Sequence, residues 1–197
     1  MESSKRIPHL PRLAITMGDV NGVGPEILVK ALSDSRAYEQ CTPIVFGSAA
    51  VWDEARRFSP NAPRANVIES LDAANSDPET IAVYEAGVVA PPIRPGFLDA
   101  DAARCAVAWL RAAVRASMAG TIQGFVTCPI NKEGLHLAGI PYTGHTEIVA
   151  EETQSKDYRM CLFTDRMRII HITSHYPLSE AITMVKQPRI VDSIRIG

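Results

Sequence analysis

A short apolar strand, a glycine-rich turn and a helix, followed at once by a second strand and helix, is the pattern that most narrows the fold of this chain. Leu13-Ala14-Ile15-Thr16-Met17 reads as a buried strand, and Gly18-Asp19-Val20-Asn21-Gly22-Val23-Gly24-Pro25-Glu26 follows directly. Glycines at 18, 22 and 24 make a tight loop whose backbone is able to approach a ligand, with Pro25 at the first helical position. The helix is expected from Glu26 to about Leu32 with Ile27, Leu28 and Ala31 facing inward. Pro43-Ile44-Val45-Phe46-Gly47 then reads as a second strand, with a helix from about Ala49 to Phe58. Strand, helix, strand, helix is the alternation of an α/β fold on a parallel sheet. The glycine turn is neither a Walker A motif nor the Gly-x-Gly-x-x-Gly dinucleotide fingerprint, because the spacing fails and no Lys-Ser/Thr follows.

The segment from Ser59 to Phe97 is rich in Pro, Asn, Asp and Ala. It reads as a loop-rich excursion in which Val67-Ile68 and Ile81 to Tyr84 are short strands suited to a sheet edge. Asp99 to Ala119 is the clearest helix: Ala103, Ala106, Val107, Leu110, Val114 and Met118 recur at three and four, Gly120 stops it, and Asp99 and Asp101 suit its dipole. That stripe marks a core face or a subunit interface.

Most of the polar chemistry lies between Gly124 and Glu152. Phe125-Val126-Thr127 reads as a buried strand ended by Pro129, which cannot donate to a sheet ladder. Asn131 is the expected N-cap of a small helix from Lys132 to Ala138, and Gly139 the left-handed residue beyond it. Then come Thr143-Gly144-His145-Thr146-Glu147, where Ile148-Val149 begin another helix. A helix N-terminus with free N–H groups is an anion site, and His145 and Thr146 are donors beside it. Thr143 and Thr146 are equally well suited to capping that helix. Lys132 is either a substrate contact or a solvated lysine of a first turn.

Farther on, Arg159 to Thr164 and Met167 to Ser174 read as two strands around an Asp165-Arg166 turn. His171 and His175, four apart on a strand, stand roughly 13 Å from one another, too far to share one metal ion directly. His171 lies inside the strand and reads as a core or hydrogen-bonded histidine, whereas His175 lies at its mouth before Pro177. Leu178 to Ile196 reads as helical, carrying Ile182, Val185, Ile190 and Ile194, with an interruption at Pro188.

Composition narrows the function classes. The chain has 197 residues, 46% hydrophobic and 21% charged, with net charge −2. No run approaches the roughly 18 apolar residues of a membrane span, and the N-terminus lacks the apolar core of a signal peptide, so a cytoplasmic location is expected. Cys41, Cys105, Cys128 and Cys161 show no CxxC spacing, which argues against a zinc ribbon or disulfide framework. Without a basic run or aromatic-basic interleaving, no nucleic-acid surface is expected.

Three segments, LAITMGDVNGVGPEIL from Leu13, VTCPINKEGLHLAGIPYTGHTE from Val126 and HITSHYPLSEAI from His171, resemble in order the 4-hydroxythreonine-4-phosphate dehydrogenase family of vitamin B6 biosynthesis. The resemblance covers nearly all of the chain. It implies an isopropylmalate-dehydrogenase-like, two-lobed α/β/α fold, incomplete at the C-terminus, with 1–12 as a tail and 13–197 as the N-terminal portion of the unit. It further implies a homodimer that oxidises and decarboxylates 4-phosphooxy-L-threonine to 3-amino-2-oxopropyl phosphate with NAD (or NADP) and a divalent metal ion, Zn, Mg or Co. His145 and Thr146 match the family's substrate-binding pair, and His175 the first of its three metal-binding histidines. Two departures bear on this. Val20-Asn21 stands where the family usually has Pro-Ala, and the later segments resembling Asn-Pro-His-Ala-Gly and Tyr-His-Asp-Gln-Gly, which carry the other two histidines, are absent. The 197-residue chain alone is therefore expected to be inactive. Relatives acting on threonate or erythronate 4-phosphate share these motifs, and a non-catalytic phosphate-binding or dimerising module is the alternative of a different class.

Overall fold

The computed structural model describes residues 10–173 and 176–197. The chain divides into two compact units, one ending at Thr153 and the other running Gln154–Gly197.

The first unit is built from β1 (Arg12–Thr16), α1 (Gly24–Ala31), α2 (Arg36–Gln40), β2 (Thr42–Phe46), α3 (Ala49–Ala55), β3 (Arg64–Val67), β4 (Thr80–Tyr84), α4 (Ala100–Met118), β5 (Gly124–Thr127), α5 (Lys132–Leu137) and α6 (His145–Glu152). Its five strands are all parallel, in the order β3-β4-β2-β1-β5. The α/β reading of the alternating pattern is thereby met, and the two strands of the loop-rich excursion extend one side of the sheet. Thr42-Pro43-Ile44-Val45-Phe46 is buried at every position, which requires cover on both faces of the sheet. α1 and α3 pack on one another, while α4 lies against β1, β2 and β5.

α4 is buried on two sides. Ala102, Cys105, Trp109 and Ala113 join the core formed with the sheet, whereas Ala103, Val107, Leu110 and Val114 join Leu135 and Ile148 in a second cluster under α5 and α6. The stripe expected from the sequence is thus a core face, directed at α5 and α6. The sheet-facing residues were not part of it, and Met118, which was, is exposed. The Asp99 carboxylate caps α4, accepting from the Asp101 and Ala102 N–H groups at 2.8 and 3.3 Å. Asp99→Ala is expected to cost about 1 kcal/mol, read as a lower denaturation midpoint; an unchanged midpoint would mean that the cap adds nothing here.

Two local readings are corrected. The inward stripe of α1 is Pro25, Leu28, Val29 and, just beyond the helix, Leu32, while Ile27 and Ala31 face out. Positions i, i+3, i+4 and i+7 form one helical face, and the set 27, 28, 31 straddles its border. β5 is not a buried strand: among the described residues it pairs only with β1, at one side of the sheet, and Val126 is 55% exposed. Its β-branched composition reports fitness for a pleated surface, and position in the sheet decides burial.

The second unit contains β6 (Cys161–Phe163) and β7 (Arg168–Ile170), an antiparallel pair with Leu162 opposite Ile169. Helices α7 (Leu178–Met184) and α8 (Gln187–Ile196) follow, with Pro188 in the first turn of α8, so the proline interruption is present. Arg159 Nε donates to Ser193 Oγ at 2.8 Å and Arg189 Nε to the Ile172 carbonyl at 2.7 Å, tying α8 to the hairpin flanks.

Candidate functional site

The ends of β1 and β5 lie side by side, and the chain leaves them in different directions. After β1 it enters α1, which packs with α3; after β5 it enters α5 and then α6, which pack on α4. Such a divergence at the carboxyl ends of adjacent parallel strands is the crevice where open α/β sheets bind ligands. Three loops meet here. The Asp19 N–H donates to the Pro129 carbonyl at 3.0 Å, joining the glycine turn to the β5 loop, and His145, the first residue of α6, places Nε2 3.1 Å from the Cys128 carbonyl oxygen.

That last contact fixes the chemistry of His145. A carbonyl only accepts, so Nε2 carries the proton, and in the neutral ring Nδ1 is left as an acceptor. Burial of the half-buried ring lowers its pKa from the ordinary histidine range, and this outweighs the Cys128 carbonyl and the Glu147 carboxylate, which raise it. His145 was expected to be a donor beside an anion site; its Nε2 donates within the protein, to the Cys128 carbonyl, and Nδ1 of the neutral ring is left as an acceptor. Proton uptake by this ring is favoured in the unfolded chain, so its contribution to stability is present above about pH 6.5 and declines as pH falls through the depressed pKa. Thr146 is exposed beside it. Neither threonine caps α6. Gly144 is the N-cap residue and no described side chain bonds there, so the first-turn N–H groups are not occupied by a side-chain cap.

Sequence reasoning passed over Asp19. It lies in the glycine turn, three residues beyond β1, 8% exposed, and accepts from the Asn21 N–H at 2.9 Å. Burial raises its pKa, partly offset by that hydrogen bond, with the Asp99 charge raising it further. The one signal in the sequence was an acid in the turn after a buried strand. Asn21 is buried as well, its side-chain oxygen accepting from the Arg94 N–H at 2.7 Å and its carbonyl from the Gly96 N–H at 2.9 Å. The Val20-Asn21 departure thus serves to fasten the segment around Arg94 onto the glycine turn.

The glycines of the turn answer to the protein's own packing. Gly18 has φ +72°, and a Cβ there would overlap the Pro129 carbonyl oxygen and stand 2.9 Å from that of Cys128; one on Gly24 would overlap the Met17 carbonyl oxygen. At Gly18 and Gly24 the close approach that the turn allows is to other backbone of the protein. A cavity of about 320 Å³ flanks the turn, lined among others by Val20, Asn21, Val23, Pro25, Phe58 and Ile93, with no contribution from the β5 loop or α6.

Among the other singled-out residues, Asn131 caps α5 by accepting from the Gly134 N–H at 3.0 Å, and Gly139 has φ +72°, both as expected. Lys132 is exposed in the first turn of α5. His171 donates its backbone N–H to the Met160 carbonyl at 2.9 Å, extending the β6 and β7 pairing. His175 lies outside the described residues. Among the described residues no three His, Cys, Asp or Glu side chains group to hold a metal ion, so they do not by themselves fit a divalent metal. The four cysteines are free, with Cys105 and Cys128 buried. No helix among the described residues is long and apolar enough to cross a membrane.

Comparison with known proteins adds an independent line. Residues 39–197 match the family described as "Pyridoxal phosphate biosynthetic protein PdxA". The chain is 35% identical over 184 residues to 4-hydroxythreonine-4-phosphate dehydrogenase of Desulfosudis oleivorans, which takes in 93% of this chain and 54% of that protein. It is 36% identical over 188 residues to D-threonate 4-phosphate dehydrogenase of Salmonella typhimurium, covering 94% and 57% of the two. The crystal structure of a 4-hydroxythreonine-4-phosphate dehydrogenase from Burkholderia phymatum matches with a TM-score of 0.87 at 33% identity, over 95% of this chain and 57% of that one. The chain spans about half the length of the curated relatives it matches.

Proposed function

Because the chain belongs to the PdxA family of pyridoxal phosphate biosynthetic proteins, we propose that the whole protein is a dehydrogenase of a small phosphorylated hydroxy acid, with His145 and Thr146 in contact with that substrate. Two substrates follow from the relatives' names: 4-phosphooxy-L-threonine and threonate 4-phosphate. The observation that carries the reading is the hydrogen bond from His145 to the Cys128 carbonyl, because it holds the histidine and threonine pair at the joined ends of β1 and β5.

His145 in its neutral form accepts a hydrogen bond from a substrate hydroxyl through Nδ1, while the hydroxyl of Thr146 and the first N–H groups of α6 face negative charge. Asp19 supplies a buried carboxyl group to the same crevice. A nicotinamide cofactor, NAD or NADP, would supply hydride acceptance from the alcohol, and a divalent metal would supply Lewis-acid chemistry. His175 is proposed as one ligand of that metal. The residues described here do not complete its coordination, so no step is assigned through it. The family resemblance also supports a homodimer and a cytoplasmic location.

Calorimetric titration of this chain with each phosphate ester, without cofactor, tests the assignment. Binding of one ester is expected, weakened at least about tenfold in His145→Ala, or about 1.4 kcal/mol. Equal affinity of wild type and variant would remove His145 from the site. Adding NAD and a divalent metal and following NADH absorbance then separates binding from turnover. Turnover by this chain alone would overturn the expectation that it is inactive.

A further inference from the structure

α6 carries the proposed substrate contacts in its first turn, yet it is a poor helix by itself. Only Ile148 is buried, and Glu151 and Glu152 stand at its C-terminal end, where the helix dipole disfavours negative charge. What offsets this comes from α4. Arg111 Nη2 donates to Glu151 Oε2 at 3.0 Å, and Arg111 Nε lies 3.0 Å from Glu152 Oε1 as an ion pair outside hydrogen-bond geometry. Arg115 makes a two-pronged contact with the same Glu152 carboxylate, Nε to Oε2 at 3.0 Å and Nη2 to Oε1 at 3.2 Å, and holds its pKa below the ordinary glutamate value.

The network also reaches the other side of the motif. Tyr142, three residues before His145, donates its hydroxyl to Glu151, and the Arg111 guanidinium lies over the Tyr142 ring at 5.9 Å. Arg111 therefore touches residues on both sides of Gly144-His145-Thr146, which otherwise carries one buried apolar anchor. An ion pair on an open surface contributes little, but Glu152 is 13% exposed and its partners converge in a network.

We infer that Arg111 is a positioning residue: by joining Tyr142, Glu151 and Glu152 to α4, it sets the place of His145 against the Cys128 carbonyl. The inference rests on the proposed substrate role of His145 for its functional meaning, but its test needs no ligand.

The test is the NMR titration of the His145 ring in isotopically labelled chain, with its resonance identified by its loss in His145→Ala. Wild type is expected to titrate below about 6.5. In Arg111→Gln the ring loses burial as α6 loosens, and the midpoint is expected to rise toward that value. Arg111→Lys keeps a charge but not the planar fork and is expected to fall between the two. Tyr142→Phe and Glu151→Gln each remove one arm and are expected to shift the midpoint less, in the same direction; they carry the test if Arg111→Gln does not fold. Folded variants with lowered melting temperatures and an unmoved His145 midpoint would reduce the network to a stabilising one and overturn the inference. Failure of the substrate reading shows separately, as unaltered ester binding in His145→Ala.

Discussion

Gly18→Ala is expected to lower stability by about 3 kcal/mol or more, among the larger losses a single methyl group causes. Two independent causes act together. At φ +72° a residue with a Cβ is strained by itself, at a cost of about 1–2 kcal/mol. The added methyl also has nowhere to go: the Pro129 carbonyl that it overlaps is held by the Asp19 N–H, and the Cys128 carbonyl beside it is the partner of His145. Relief requires the β1 and β5 loops to part, so the His145 ring should lose its partner in any variant that still folds. Urea denaturation reads the first effect and the His145 NMR signal the second. A loss below about 1 kcal/mol with the signal unmoved would show that the loops adjust freely, and the crevice would then not be a rigid element.

Trp109→Ala is expected to cost about 3–5 kcal/mol, the range for removing a buried aromatic ring. Trp109 is fully buried on the sheet side of α4, and its indole N–H donates to the Glu85 carbonyl at 3.1 Å. Truncation leaves a cavity against the sheet and a carbonyl without its donor. Met118→Ala on the same helix serves as the contrast: that side chain is 66% exposed, and a change within about 0.5 kcal/mol is expected. Comparable losses at both positions would mean that α4 responds to helix propensity and not to its place in the core.

The contrast between these two positions shows what the pattern of residues conveyed and what it hid. Apolar spacing along α4 marked Ala103, Val107, Leu110 and Val114, but Ala102, Cys105, Trp109 and Ala113 were not legible as a second buried face. A helix covered on two sides loses the polar stripe that makes periodicity readable. For β5 the error ran the other way: Phe125-Val126-Thr127 has the composition of a buried strand, yet nothing local reveals that it pairs with a single neighbour among the described residues. Within the candidate site, the Gly-His-Thr-Glu segment stood out because it sets donor side chains at a helix start and resembles a family motif in its context. Asp19 and Arg111 did not stand out, because a buried acid and an arginine that gathers two glutamates acquire meaning only from groups distant in the sequence.

What the sequence determined by itself is the order of the strands and of the helices other than α2, the cap of α5, the left-handed glycine after α5, and the family to which the motifs belong. These depend on residues within a few positions of each other, whose backbone preferences and capping chemistry are written locally. Only the tertiary structure decided that β1 and β5 end side by side, that His145 donates to Cys128 and becomes an acceptor, that the turn glycines serve backbone packing, and that α4 holds α6 through Arg111. Apart from the Gly24 contact with Met17, each of these joins segments between about 17 and 111 residues apart, and contacts across such separations are set by how the sheet closes and which faces it buries, not by the preferences of either segment alone.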